Sequence, residues 1–220
     1  MGIGTNRKII IMFLVYDTET TGFPLKDYKD PKNPRLSQLA WALITPEGKV
    51  FKKFSSLIEP CGWEFPTVAQ LTAQGNKNPN FFVENNMSTE RSKKEGRPIE
   101  FAMKHFLEAF EECKYLVAHN IKFDAAIMAS EMHRLNKFPT NKPIKICTME
   151  ASTEILKLPN PRGGYKWPNL TELHTYLFGK GFDGAHDAMA DVKACANCFF
   201  ELKKRKLILL PEDEETKKKA

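Results

Sequence analysis

Along this chain the spacing of apolar positions changes several times, and each change marks an element. From Lys8 to Tyr16 the run is continuous and rich in β-branched residues, as in a central strand covered on both faces. A polar loop between Pro24 and Pro34 follows, and Leu36–Thr45 reads as a second strand. Pro46, Glu47 and Gly48 make a turn into Val50–Ile58, whose alternation gives a third strand. These three strands are expected to form an antiparallel meander. The period then lengthens: Pro98 opens a helix in which Ile99, Ala102, Phe106, Phe110 and Cys113 share one face. A strand at Tyr115–Ala118, a helix at Phe123–Leu135, a strand at Ile144–Cys147 and a helix to about Leu158 come next. Asn169, with Glu172 three positions later, forms a capping box that opens Leu170–Phe178, and a last helix runs from about His186 to Lys206.

One stretch resists this reading. Residues 59–98 are rich in Asn, Gln, Lys and Pro, with Trp63, Phe65, Phe81 and Phe82 scattered among them. A loop of that length inside a compact domain is functional or mobile. The remaining elements predict an α/β protein: a mixed five-stranded sheet, three antiparallel strands then parallel ones, with helices on both faces. Residues 1–206 are expected to form a single domain, with 207–220 as a C-terminal tail whose final stretch, Pro211–Ala220, is frayed.

Composition narrows the class. With 220 residues, 42% of them hydrophobic, the chain can bury one substantial core. A net charge of +6 suits a polyanionic partner, since neutralising phosphates releases condensed counterions. Five cysteines, an odd number without regular spacing, argue for a reducing compartment, and Cys195 and Cys198 read as small buried groups within a helix. Lys8 followed by Ile9–Tyr16 mimics a signal peptide. The run ends in Asp17 and Glu19 without a cleavage site and is too short to span a bilayer. Gly2 lacks the Ser or Thr that myristoylation requires at position 6, where Asn6 stands. The expectation is an intracellular protein, cytoplasmic or nucleoid-associated, with no membrane partner; the oligomeric state is not legible.

Three loci carry chemistry. Asp17 and Glu19 lie two apart and so face the same side of a strand. Two such carboxylates beside a buried strand repel unless cations sit between them, and oxygen-only ligands suit Mg²⁺ or Mn²⁺. The plainer reading is two solvated groups where the strand exits. Asp124 follows the strand that ends at Ala118 and begins a helix, where it could simply favour the helix dipole. Asp191 lies about one turn inside the last helix among Ala188, Met189, Ala190 and Val192, and burying it there without a cation is costly.

Taken in order, D-x-E-T-T-G from Asp17 to Gly22, N-x-x-F-D from Asn120 to Asp124 and H-x-x-x-x-D from His186 to Asp191 resemble the DEDDh 3′–5′ exonucleases. The proofreading epsilon subunit of bacterial DNA polymerase III belongs to that family. Each motif is weak alone, and the ordered set is specific. The resemblance runs from about Lys8 to Phe200 and implies a ribonuclease H-like sheet and two divalent cations, Mg²⁺ or Mn²⁺. It implies that Asp17 bridges both metals, that Glu19 and Asp191 hold one with it, and that Asp124 supports the other, partly through waters. His186 is implied as general base. Thr20, Thr21 and Gly22 are implied to line the pocket for the terminal nucleotide, and Asn120 and Phe123 to orient substrate or brace the loop.

The implied partner is the 3′ end of a single-stranded nucleic acid, DNA ahead of RNA, and a DNA polymerase is a partner the resemblance allows. The sequence departs from the family between the third strand and Pro98: a typical A-x-x-x-H-G-I-like segment is replaced by Phe82–Ser88 after an insertion around Asn76–Asn80. Arg162–Pro168, basic and aromatic, reads either as a stacking platform for single strands or as a loop with Trp167 tucked onto the core. A non-catalytic nucleic-acid-binding or polymerase-associated module on the same fold is the alternative. Loss of any acidic residue would have favoured it, and all four, with His186, are present in the sequence.

Overall fold

The computed structural model describes residues 11–211. Five strands form one sheet in the order β3-β2-β1-β4-β5. β1 (Phe13–Thr20) pairs antiparallel with β2 (Leu36–Ile44), which pairs antiparallel with β3 (Val50–Leu57). On its other edge β1 pairs parallel with β4 (Tyr115–Ala118), and β4 with β5 (Ile144–Cys147). The mixed five-stranded sheet expected from the sequence is therefore the one present.

Seven of the helices are α1 (Val68–Ala73), α2 (Phe81–Glu84), α3 (Thr89–Glu95), α4 (Ile99–Glu112), α5 (Ile121–Leu135), α6 (Thr148–Leu156) and α7 (Leu170–Phe178); α8 (Ala188–Lys204) is the longest. Alternation along β1 sends its residues to two cores. Leu14 and Tyr16 join Ala102, Met103 and Phe106 of α4 and Ile127 and Met128 of α5 on one face. Phe13 and Val15 join Val192, Cys195 and Phe199 of α8 on the other. Helices thus cover both faces, and β1, buried from both sides, is the rigid centre. After α8 the chain folds back, with Ile208 and Leu210 against this second face.

The boundaries differ from the pattern in places. β1 starts at Phe13 and continues past the end of the apolar run at Tyr16 through Glu19 to Thr20, so Asp17 and Glu19 lie on a strand as their spacing required. Pairing with β2, rather than apolarity, defines its end, so the two carboxylates lie inside the strand. Lys8–Ile10 and 212–220 lie outside the described residues. α8 starts two residues later than expected, because Asp187 is its N-cap and accepts from Met189 N and Ala190 N. Residues 59–98 hold three short helices, each too brief to show a period. Thr67 and Gln70 close a capping box on α1, and the Ser88 hydroxyl accepts from Arg91 N at the start of α3.

Backbone bonds sew this segment to the sheet: Arg97 N donates to Leu57 O, and Glu59 N to Arg97 O. Gly96 sits at that seam, where a Cβ would lie 2.4 Å from Ser92 O and 2.6 Å from Glu59 N. Among the described residues no helix is long and apolar enough to cross a membrane.

Candidate active site

At the C-terminal end of β1 the sheet opens into a cavity of about 720 Å³. All ten residues singled out in the sequence border it: Asp17, Glu19, Thr20, Thr21 and Gly22 from β1 and the turn after it, Asn120, Phe123 and Asp124 from the start of α5, and His186 and Asp191 from the start of α8. Parallel β1 and β4 deliver both loops to the same end of the sheet, which is where α/β proteins build sites.

Asp17 and Glu19 share the face of Phe13 and Val15, toward α8, and Asp191 on the first turn of α8 meets them there. Thr18 points to the opposite face, and its N–H and hydroxyl both donate to Asp124 Oδ1, at 3.0 and 2.8 Å. The strand thus supplies two carboxylates directly and orients a third through the residue between them. Asp191 accepts from His186 N at 3.0 Å, fixing the loop that leads into α8. Gln38 of β2 secures the same loop: its amide donates to Asp187 and accepts from Ala188 N. The β1–β2 register shifts between Glu19 and Thr20, a bulge where the strand turns toward the site.

Electrostatics mark these carboxylates off from the rest of the molecule. Asp124 and Asp191 are buried, 3% and 8% exposed. Among the described residues no lysine or arginine pairs with any of the four. Burial, reinforced by the neighbouring carboxylates, lifts Asp17 well above its ordinary range and Glu19 to about 9. Burial also lifts Asp124 to about 7 against the opposing Thr18 hydrogen bonds, and Asp191 to about 6. Four acids crowded without a counter-charge are poised for cations. Glu19, His186 and Asp191 each offer a ligand atom, all within 4.8 Å of one another. Asp17 and Asp124 flank that trio, with one oxygen of Asp124 already held by Thr18. Oxygen donors of this kind fit a hard divalent cation.

The remaining wall is apolar or conformationally special. The Thr20 hydroxyl donates to Gly22 O and that of Thr21 accepts from Arg35 N, so both are spent on the turn. A side chain at Gly22 would meet only Pro34 Cβ, at 3.7 Å, so internal packing does not demand glycine there. Asn120 caps α5 in the left-handed region, φ 71°, which Asn tolerates, and its side chain makes no capping bond. Phe123 meets the exposed ring of Phe23 edge-on at 6.1 Å. His119 borders the cavity too, but both its ring nitrogens are engaged, by Thr148 Oγ1 and Pro168 O. Burial pushes its pKa down to about 4, so it is a neutral brace.

Sequence reasoning missed Thr18, Gln38 and Asp187, whose roles are hydrogen bonds across elements. It also missed the roof: Leu71, Asn76, Lys77, Asn78, Phe81 and Phe82 of the 59–98 segment close over the cavity. The scattered aromatics were the signal available. Trp167 is 64% exposed, so the alternative that tucked it onto the core does not hold.

Comparison with known proteins gives a consistent picture. A family model described as Exonuclease (RNase_T) matches residues 14–199. The chain is 28% identical over 190 residues to the 3′-5′ exonuclease DinG of Bacillus subtilis, covering 86% of this chain and 17% of that protein. It therefore spans about a sixth of the length of that curated relative. Among solved structures, E. coli exonuclease I in complex with a dT13 oligonucleotide superposes with a TM-score of 0.67 at 18% identity, over 89% of this chain and 42% of that one. The nuclease domain of 3′hExo, a DEDDh family member bound to rAMP, gives a TM-score of 0.64 at 12% identity, over 91% and 96% of the two chains.

Proposed function

The chain belongs to the exonuclease family, and from that premise we propose that it hydrolyses single-stranded nucleic acid one nucleotide at a time from the 3′ end. The observation that carries this reading is the convergence of Asp17, Glu19, Asp124 and Asp191 on one cavity, where among the described residues no lysine or arginine forms an ion pair with them. In this reading residues 1–206 act as one catalytic domain, and DNA is the first substrate to test, ahead of RNA.

Two divalent cations, Mg²⁺ or Mn²⁺, fit the all-carboxylate donor set. Glu19 and Asp191 would hold one and Asp124 the other, with Asp17 shared. When bound, such cations acidify the attacking water and offset charge on the attacking and leaving oxygens of an in-line displacement. The protein's own contribution is position and proton transfer. His186, beside Glu19 and Asp191, takes a proton from the water on an imidazole nitrogen as the water oxygen attacks phosphorus. Partial desolvation at the cavity wall lowers the His186 pKa, although the residue stays open to solvent, and this keeps the ring neutral and able to accept. The bond from phosphorus to the bridging 3′ oxygen breaks with its electron pair on that oxygen, which takes a proton from solvent, leaving a nucleoside 5′-monophosphate and a shortened strand with a 3′-hydroxyl. Thr20, Thr21 and Gly22 shape the floor for the terminal sugar, and Phe123, with Asn120 beside it, faces the base.

The experiment is digestion of 5′-labelled single-stranded DNA and RNA oligonucleotides with Mg²⁺, Mn²⁺ or EDTA, alongside Asp17→Ala and a circular single strand. A ladder shrinking from the 3′ end that requires both metal and Asp17 is expected, with the circle intact. Full activity in EDTA or in Asp17→Ala would overturn the proposal, and cutting of the circle would replace it with an endonuclease.

A further inference from the structure

His186 is weakly held for a residue with so exacting a task. Its backbone is left-handed, φ 69°, and its N–H is tied to Asp191. Its side chain is exposed, and among the described residues no hydrogen bond reaches the imidazole. What does reach it is Phe81, whose ring lies 5.1 Å away, centroid to centroid, at 75°. An edge-to-face pair of this kind restricts the ring beyond simple contact.

Phe81 is itself anchored. It opens α2, packs edge-on against Phe82 at 5.6 Å, and its carbonyl accepts from the Asn85 amide at 2.8 Å. Phe82 is buried against Phe65, and Phe65 meets Trp63. An unbroken row of rings therefore runs from Trp63, just beyond β3, to the imidazole. The segment that carries it is the one that departs from the family pattern.

We infer that Phe81 is a positioning residue for His186: the 59–98 segment completes the active site by holding the general base in its working rotamer. This rests on the role given to His186 above. A base must stand within hydrogen-bond reach of the proton it removes, and a swing about χ1 or χ2 carries the imidazole out of that reach. Phe81 closes off that swing on its side of the ring. It also borders the substrate cavity, so direct contact with the nucleotide is the rival role.

A double-mutant cycle separates the two. kcat, KM and thermal midpoint are measured for wild type, Phe81→Ala, Phe81→Tyr, His186→Ala and the Phe81→Ala/His186→Ala pair on a 5′-labelled single strand. Phe81→Ala is expected to lower kcat by about 10- to 100-fold with KM little changed. Phe81→Tyr, which keeps the ring, should stay near wild type. In the His186→Ala background Phe81→Ala should cost nothing further, because the group it positions is gone. A wild-type kcat in Phe81→Ala, a raised KM with kcat unchanged, or losses that multiply in the pair would each overturn the inference. Should Phe81→Ala lower the thermal midpoint, Phe81→Leu takes its place and is judged by the same outcomes. Full activity in His186→Ala would instead remove the general base itself, and this inference with it.

Discussion

Asp17 and Glu19 illustrate how one residue can be chosen for function against stability. Each is lifted by burial and by neighbouring carboxylates, so the folded protein without cations carries a charge cluster that it would be more stable without. Asp17→Asn removes one negative charge at nearly constant shape. It is expected to abolish cleavage and to stabilise the metal-free protein by on the order of 1 kcal/mol, read as a higher thermal midpoint in EDTA. A lower midpoint would show that Asp17 is structurally required. Thr18 works in the opposite sense. Its two hydrogen bonds to Asp124 are buried, and Thr18→Val removes the hydroxyl while keeping the volume. A loss of about 1–2 kcal/mol in chemical denaturation is expected, with a raised metal requirement in the cleavage assay. Unchanged stability and metal requirement would show that the backbone N–H of Thr18 suffices. The identity of the four acids was readable from motif spacing, but Thr18, lying between two of them, was not. Its importance comes from a partner 106 residues away.

The longer elements and the short strands β4 and β5 were legible, and the short helices of the 59–98 segment were not. The periods of α4, α7 and α8 are visible because each buries a stripe on the sheet or on a neighbouring helix, and β2 is visible because it is buried throughout and apolar but for Ser37 and Gln38. α2, of four residues, is too short to declare a period and is held in place by aromatic contacts. The seam at Gly96 is the mechanical link between this region and the sheet. Its φ of −73° is ordinary, so the need for glycine is steric: backbone atoms of Ser92, Ile58 and Glu59 occupy the space of a Cβ. Gly96→Ala is expected to cost about 1–3 kcal/mol and to lower cleavage by shifting the roof that carries Phe81. Proteolysis within 59–98 at unchanged global stability would show the segment loosened locally; no change in stability, proteolysis or cleavage would show that the seam yields without consequence.

At the scale of the molecule, the charge cluster sets how stability should depend on pH and metal. Glu19 is raised from 4.5 to about 9, Asp124 from 3.8 to about 7 and Asp191 from 3.8 to about 6. Each binds its proton more tightly folded than unfolded. The stability this contributes is complete below about pH 4 and is lost as pH rises through about 6, 7 and 9 in turn. Thermal midpoints in EDTA are expected to fall across that window relative to those in Mg²⁺ or Mn²⁺, so that stabilisation by metal grows with pH. Parallel curves with and without metal would show that cations do not neutralise these groups. The sequence by itself determined the strand order along the chain, the two-faced burial of β1 and the residues of the acidic cluster, because periodicity and motif spacing are local properties that survive without coordinates. Only the tertiary structure decided that Thr18 aims Asp124, that Gln38 and Asp187 moor α8, and that Phe81 reaches His186. Each of these joins residues far apart in the chain, through contacts that exist only once the sheet has brought their elements to one end.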